Sequence, residues 1–335
     1  MYRRVVVTGG AGFIGSNYVR YAAQAHPEWE IVVLDKLTYA GNLENLEGLL
    51  PQVAFIQGDI ASPDDTAKAL QGADAVLNFA AETHVDRSLM DARPFVKTNV
   101  EGTVVLLDAA RKLGIQRFLH VSTDEVYGDL HGLDHHSVES DPFRPRSPYA
   151  ASKASAEHLV FSYGISHGLD VVITRGSNTY GPYQYPEKII PLFITNALQG
   201  KALPLYGNGS AVRDYMHAYD HAAGIDLVLH RGHSGEAYNL GAREEVPGTE
   251  VARAILAALD KPQSLVRFVE DRPGHDYRYA VDPSKAEALG WVRRYGFAQG
   301  LAETVRWYVE HQGWWERVRG KREHQELMQG WYARR

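Results

Sequence analysis

Short runs of β-branched and apolar residues recur along the first half of the chain. They are Arg4-Val5-Val6-Val7-Thr8, Ile31-Val32-Val33-Leu34, Val53-Ala54-Phe55-Ile56-Gln57, Ala75-Val76-Leu77-Asn78-Phe79 and Phe118-Leu119-His120-Val121. Continuous apolar runs of this length, bounded by glycine and polar residues, are the pattern of strands buried on both faces. Longer stretches of helical character lie between them. One runs from Ser16 to Ala25, one opens at Ser62-Pro63 with a serine N-cap and a first-turn proline, and one runs from near Pro94 to about Leu113. This alternation predicts an α/β fold with a doubly wound parallel sheet of the Rossmann type. Beyond Arg175 the alternation loosens. Pro191 to Gly200 and His221 to Leu229 read as helices, and Pro204 to Gly209 reads as a turn carrying an aromatic ring.

Composition narrows the class. The chain has 335 residues, 44% of them hydrophobic, enough for one large core or two smaller ones. A net charge of −6 offers no basic field for nucleic acid. No apolar run approaches the 18 or so residues of a membrane span, and the start leads straight into a strand, unlike a signal peptide. The absence of cysteine excludes disulfide and thiol chemistry and fits a cytoplasmic location. His135-His136 reads as a solvated loop, and no metal site is expected.

Candidate chemistry gathers where the strands end, the edge at which open α/β sheets bind ligands. Gly9-Gly10-Ala11-Gly12-Phe13-Ile14-Gly15 follows the first strand and precedes a helix. This glycine pattern gives a tight turn, close backbone approach to a pyrophosphate, and a helix N-terminus aimed at it. Asp35 ends the second strand 20 residues past Gly15, where a ribose hydroxyl partner is expected and an acid favours NAD over NADP; Lys36 beside it argues the other way. Asp59 and Ile60 close the third strand where an adenine edge would lie. Ala80 and Ala81 leave room for a cofactor after the fourth, and Glu82 to Ser88 forms a polar loop on the same edge. The fifth strand ends in Ser122-Thr123-Asp124-Glu125, a poor choice for a simple turn and a good one for acid–base work. Tyr149 and Lys153 lie four apart in Ser147-Pro148-Tyr149-Ala150-Ala151-Ser152-Lys153, on one face of a predicted helix. A neighbouring cation and a positively charged nicotinamide would lower the phenol's pKa and fit it to act as a base.

Together, Thr8 to Gly15, Asn99 and the Thr123, Tyr149, Lys153 set resemble the extended short-chain dehydrogenase/reductase family. Within it, Leu34 to Asn42, Glu82 to Ser88, Ser122 to Gly128, Tyr180 to Lys188 and Asp271 to Asp276 resemble the nucleotide-sugar 4,6-dehydratases. The resemblance runs from Val5 to about Tyr308. It implies an NAD-binding domain over 1–175, with later pieces at roughly 215–240, and a smaller α/β nucleotide-sugar domain over 176–335. It implies tightly bound, recycled NAD held by Gly9, Gly12, Phe13, Ile14, Gly15, Asp35, Lys36, Thr38, Asp59, Ile60, Ala80, Ala81, Thr83, Asn99, Tyr149, Lys153 and Asn178. The implied substrate is a nucleotide-diphosphate sugar, dTDP-glucose first, contacted by Thr83, His84, Thr123, Asn178, Glu187, Lys188, Pro204, Tyr206, Arg213, Asn239, Arg272, His275 and Tyr279. Tyr149 with Lys153 would act as base at C4, with Thr123 on the same hydroxyl. Asp124 would be the acid at C6 and Glu125 the base at C5. A homodimer is implied as well.

Departures from the pattern lie in the later half: Thr179 and Tyr215 stand for a usual asparagine and tryptophan, and Ser210-Ala211-Val212 and Ala242-Arg243 are unusual. They bear on nucleotide and sugar identity. A 4-epimerase or decarboxylase would share the glycine turn, Tyr149 and Lys153 but would have no use for Asp124-Glu125. A non-catalytic NAD-sensing protein would not need Tyr149 and Lys153 intact. The segment from Glu316 to Arg335 carries six basic and three acidic residues and reads as an amphipathic extension packed through Trp314, Trp315 and Trp331.

Overall fold

The β-branched runs form strands β1 (Arg4–Thr8), β2 (Glu30–Asp35), β3 (Val53–Gln57), β4 (Ala75–Asn78) and β5 (Arg117–Thr123). In this computed structural model, which describes residues 2–50, 52–271 and 274–330, two further strands join them, β6 (Val171–Gly176) and β10 (Glu236–Leu240). The seven pair in the order β10-β6-β5-β4-β1-β2-β3, parallel throughout. The chain winds outward from β1 to β3 and then crosses back to β4 on the other side of β1. The carboxyl ends of β1 and β4 therefore flank the crevice where such sheets take ligands. Alternate residues feed two apolar layers. Val5, Val7, Leu77 and Leu119 lie in one, and Val6, Val76, Phe118 and Ile173 in the other.

Three segments differ from expectation. The fifth strand runs two residues further, because Ser122 and Thr123 pair with Arg175 and Gly176 of β6. Thr123 is thus the strand's last residue, and it caps a short 3-10 turn over Asp124–Tyr127. The helix expected from Pro94 is built in pieces: a short turn at Arg93–Phe95, a π turn over Val96–Glu101, then a regular helix from Gly102 to Leu113. Pro204 begins no turn. It lies within β8 (Leu203–Tyr206), which pairs in parallel with β12 (Val266–Val269) because Leu203 and Leu205 point into an apolar core.

The later half supplies two small sheets. One is the β8–β12 pair; the other joins β7 (Asn178–Tyr180), β9 (Val212–His217) and β11 (Glu245–Pro247). A separate apolar core fills this half, with Tyr180, Phe193, Ile255, Tyr308 and Trp315 fully buried. The chain's far end docks through two helices, Gln312–Gly320 and Arg322–Gly330. Trp314 donates its indole N–H to Asn45 Oδ1 at 3.0 Å, and Arg317 pairs with Glu44 at 2.6 Å. Trp314 and Trp315 are packing anchors, while Trp331 lies outside the described residues.

Candidate active site

The glycine turn is dictated by lack of space. Gly9 has φ +68°, and a Cβ on Gly15 would stand 2.3 Å from the Gly9 carbonyl oxygen. Only glycine lets the turn close on the helix Phe13–Ala25 behind it. That helix starts at Gly12 with no side-chain cap and no acid in its first turn, so its first N–H groups face the cavity unclaimed. This is a site for a diphosphate. Asp35, largely buried, accepts from Ala11 N at 3.0 Å and Leu37 N at 2.8 Å. Burial pushes its carboxyl up, against the pull of those two amides. Lys36 pairs with Asp59 at 2.6 Å, so its ammonium already has a counter-charge. Thr38, Ile60, Ala80, Ala81 and Thr83 complete this wall, and the cavity continues past Tyr149 and Lys153 to Asn178. A Cβ-free cradle, an uncapped helix start and a buried ribose acid fit NAD.

Lys153 is buried to 4% exposure on the helix Pro148–His167, which Ser147 caps by accepting from Ala150 N at 3.1 Å. Its ammonium donates to the Val121 carbonyl at 2.7 Å and lies 3.3 Å from His120 Nε2. His120 Nδ1 meets the Asn78 amide at 3.2 Å, and Asn78 meets the Thr8 hydroxyl at 2.7 Å. Thr8, Asn78 and His120 stand opposite one another on three adjacent strands, so they form a polar row across an apolar face. Burial lowers Lys153 to about 8, with Glu157 raising it in part. Burial and the Lys153 charge keep His120 neutral. An ammonium only donates, so opposite charged Lys153 the ring accepts at Nε2 and its proton sits on Nδ1, beside the Asn78 amide. Sequence reading missed this row. Its signal was one polar residue in each of three otherwise apolar runs.

Thr123, Asp124, Glu125 and Tyr149 converge at the end of β5. Thr123 Oγ1 donates to Asp124 Oδ1 at 3.2 Å, accepts from Glu125 N at 3.3 Å, and stands beside the Tyr149 phenol. Burial, then the charges of Glu125 and Asp214, hold the Asp124 carboxyl well above its ordinary range. The Tyr149 phenol is also held up, by burial and then by Glu125, while the Thr123 hydroxyl works against them. The lowering expected from Lys153 is not among the forces acting on it, so the chain's own groups leave the phenol protonated.

A second cavity opens from the first, and Glu125, Asn178, Glu187 and Lys188 line both. Its walls bring together His84, Pro204, Tyr206, Arg213, His275 and Tyr279, all read from the sequence. Tyr206 donates to Asp86 at 3.1 Å, and Lys188 donates to the Thr83 carbonyl at 3.0 Å. Arg213 is held by the Val212, Asp276 and Tyr277 carbonyls and lies 4.6 Å over the Tyr279 ring, so its guanidinium is oriented without giving up its charge. Thr179 bonds His221 Nδ1 at 2.8 Å in the wall of the first cavity.

Two residues do not reach a cavity. Asn239 is fully buried in β10, where it accepts from Tyr127 OH at 2.7 Å and donates to the Ser137 carbonyl at 2.8 Å. Its amide supports the turn after Asp124, and the expectation of a substrate contact is corrected. Asn99 likewise lies behind the cofactor wall, bonded to both the N–H and C=O of Glu82 and to Ser152 Oγ, while its neighbour Thr98 lines the cavity. Its role is to fix the Glu82 loop. Arg272 lies outside the described residues. His135 and His136 are exposed and paired with Asp141 and Glu245.

Sheet order, glycine turn and Tyr149–Lys153 helix define an extended short-chain dehydrogenase/reductase with a nucleotide-sugar cavity above the sheet. The profile of the GDP-mannose 4,6-dehydratase family matches residues 6–304, and the chain belongs to that family. It is 49% identical over 319 residues to a dTDP-glucose 4,6-dehydratase of Streptomyces antibioticus, covering 93% of this chain and 94% of the relative. It is 49% identical over 307 residues to the low-salt glycan biosynthesis protein Agl12 of Haloferax volcanii, covering 91% and 98%. The crystal structure of the dTDP-glucose 4,6-dehydratase DesIV from Streptomyces venezuelae, solved with NAD bound, superposes with a TM-score of 0.91 at 50% identity, covering 94% of this chain and 99% of that one.

Lys153 loses its charge as pH rises through about 8. Replacing His120 by Phe removes an acceptor for the ammonium and lowers that pKa further. For a hydrogen bond to a charged group worth about 1.5 kcal/mol, the alkaline limb of hydride transfer moves down by about one pH unit. His120→Gln, which keeps an acceptor, moves it less. The pH profile of cofactor reduction in the first turnover checks this.

Proposed function

We propose that this chain converts dTDP-glucose to dTDP-4-keto-6-deoxyglucose with bound, recycled NAD, a carbon–oxygen lyase reaction. The observation that carries the reading is the pair Asp124 and Glu125, which line the first cavity with Tyr149 and Thr123, Glu125 reaching the second as well. An epimerase needs only the base at C4. Two further carboxyls, one held neutral by burial, suit loss of water across C5–C6.

NAD, which the glycine turn Gly9 to Gly15, Asp35, Ala80 and Ala81 would hold, would supply the acceptor for the C4 hydride and its donor to C6, and the positive charge of its oxidised form would favour ionisation of the Tyr149 phenol. Tyr149 removes the C4 hydroxyl proton, with Lys153 adding its charge and Thr123 bonding the same oxygen. The resulting C4 ketone acidifies the C5 hydrogen, which Glu125 removes. Asp124 donates its proton to the departing C6 hydroxyl. Arg213, Lys188 and Tyr206, with Pro204, His275 and Tyr279 beside them, hold the diphosphate and base in the second cavity. Residues 1–175 with the 215–240 piece form the NAD domain, and the rest forms the nucleotide-sugar domain. UDP-, CDP- or GDP-sugars are the alternative substrates, because the departures at Thr179 and Ala211 lie in the cavity walls.

The assembly is a cytoplasmic homodimer. Met90, Val96 and Ile165 are exposed apolar residues on or near the helices that start near Pro94 and at Pro148, and Ile165 is 87% exposed. No helix among the described residues is long and apolar enough to cross a membrane. Light scattering should give twice the chain mass of 37.3 kDa, and a monomer would refute the dimer.

The mass of dTDP-glucose incubated with the protein should fall by one water, without consumption of added NAD. No loss from dTDP-glucose alongside loss from another nucleotide sugar would reassign the nucleotide. Glu125→Gln should slow water loss by about 10²- to 10⁴-fold while leaving C4 oxidation intact, so reduced cofactor accumulates and absorbs in the near ultraviolet. Full activity without accumulation would remove Glu125 from the mechanism.

A further inference from the structure

The helix that follows the glycine turn, Phe13–Ala25, ends on His26 as its C-cap. A helix of 13 residues spans about 20 Å, so this end lies far from the cofactor cradle. There His26 meets Asp226 and His230, which stand four apart on one face of the helix Ala218–Arg231. Among the described residues these three are the one group of histidines and acids close enough to share an ion, with ligand atoms all within 4.8 Å of one another. None of them is in the wall of either cavity, and the reaction proposed above makes no use of them. The trio is not legible in the sequence, because His26 and Asp226 are 200 residues apart.

His26 Nε2 lies 2.9 and 3.1 Å from the two Asp226 carboxylate oxygens, and His230 Nδ1 lies 3.7 Å from Oδ2. Ligands at about 2.0–2.1 Å around a tetrahedral zinc ion stand about 3.3 Å apart, and the observed edges bracket that spacing. The surroundings fix the groups from outside. Tyr18, fully buried, donates its hydroxyl to Asp226 Oδ1 at 3.3 Å. The Trp29 indole stacks on the His26 ring at 3.9 Å with 11° between planes, and Tyr2 packs on His230 at 5.7 Å. Glu28 Oε1 is 3.9 Å from His26 Nδ1, an acid beside the ring nitrogen that keeps its proton when Nε2 ligates. The His230 side chain is 35% exposed, which gives an ion its way in. Its Nδ1 donates to the Asp226 carbonyl at 2.8 Å, a bond that a small rotation of this outer ring and a change of tautomer release.

We propose that His26, Asp226 and His230 bind a divalent first-row transition ion, zinc foremost, with water completing its shell. Two imidazoles and one carboxylate select such ions over magnesium and calcium, which take oxygen ligands. The ion takes the place of the proton that His26 Nε2 directs at the carboxylate, and the ring then carries its proton on Nδ1, toward Glu28. His26 stands between the first helix and β2, whereas Asp226 and His230 sit on the helix packed beside it. The bound ion is therefore a staple. It ties the far end of the helix behind the glycine turn to an element that enters the fold 200 residues later.

The test uses untagged holoenzyme, stripped of metal by a chelator and titrated with Co²⁺, whose visible absorption reports nitrogen and oxygen ligation. One equivalent should bind, Zn²⁺ should displace it, and excess Zn²⁺ should raise the melting temperature by a few degrees. His26→Gln, Asp226→Asn and His230→Gln should each weaken Co²⁺ binding by about 10-fold or more and abolish the Zn²⁺ shift. His230→Gln alters an exposed side chain and puts a good helix former in its place, so it keeps the test open should a change at His26 or Asp226 prevent folding. The absence of a saturable Co²⁺ band in the wild type overturns the site, and so does wild-type affinity in any folded variant. The outcome does not depend on which nucleotide sugar the enzyme accepts, because the readouts are metal binding and melting.

Discussion

Keeping a lysine ammonium inside the helix-covered face of the sheet is the constraint on which the site depends. Removing such a charge from water costs several kcal/mol, so the fold must place acceptors around it. The Val121 carbonyl and His120 do so. His120 is buried too and needs a partner, which is Asn78, and Asn78 in turn meets Thr8. Because these three lie opposite one another on β5, β4 and β1, the register of the central strands is tied to the position of Lys153. Thr8 is also the residue from which the glycine turn departs. The cofactor cradle and the catalytic helix are two ends of one buried polar row.

The corner at Thr123 has a similar economy. A single residue ends β5, caps the following turn, bonds the acid and stands beside the phenol. The turn is braced from behind by Tyr127, which donates to Asn239 and accepts from Arg175, itself paired with Glu157 at 2.9 Å with both side chains almost wholly buried. Breaking a buried pair of this kind leaves an uncompensated charge, so the brace is rigid. Rigidity matters here because, in the reaction proposed above, the two adjacent carboxyls serve different atoms of one sugar, the C5 hydrogen and the C6 oxygen.

The sheet was legible because parallel strands buried on both faces write themselves as apolar runs, and the glycine turn because sterics leave no alternative to glycine at Gly9 and Gly15. Tyr149 and Lys153 followed from helical spacing. β8 was not legible: a short strand beginning Leu203-Pro204 has too few residues to separate it from a turn until β12 pairs with it, 60 residues later. Asn99 and Asn239 show a different limit. Asn99 adjoins a residue that lines a cavity and Asn239 does not, and only the fold reveals that one braces a loop and the other a turn. The polar row was visible as Thr8, Asn78 and His120, but its meaning depends on strand order, which a single strand does not carry.

The docking of the far end of the chain bears on the order in which the molecule is assembled. Glu44, Asn45 and Gly41 belong to the segment that walls the cofactor crevice, and their partners are Arg317, Trp314 and Lys321. Strand β10, at the edge of the main sheet, likewise arrives only after residue 235. A chain growing from its N-terminus can lay down β1 to β6 early, but this wall stays unsupported until some 270 further residues have been made. The wall of the cofactor crevice is therefore held by contacts between segments some 270 residues apart in the chain.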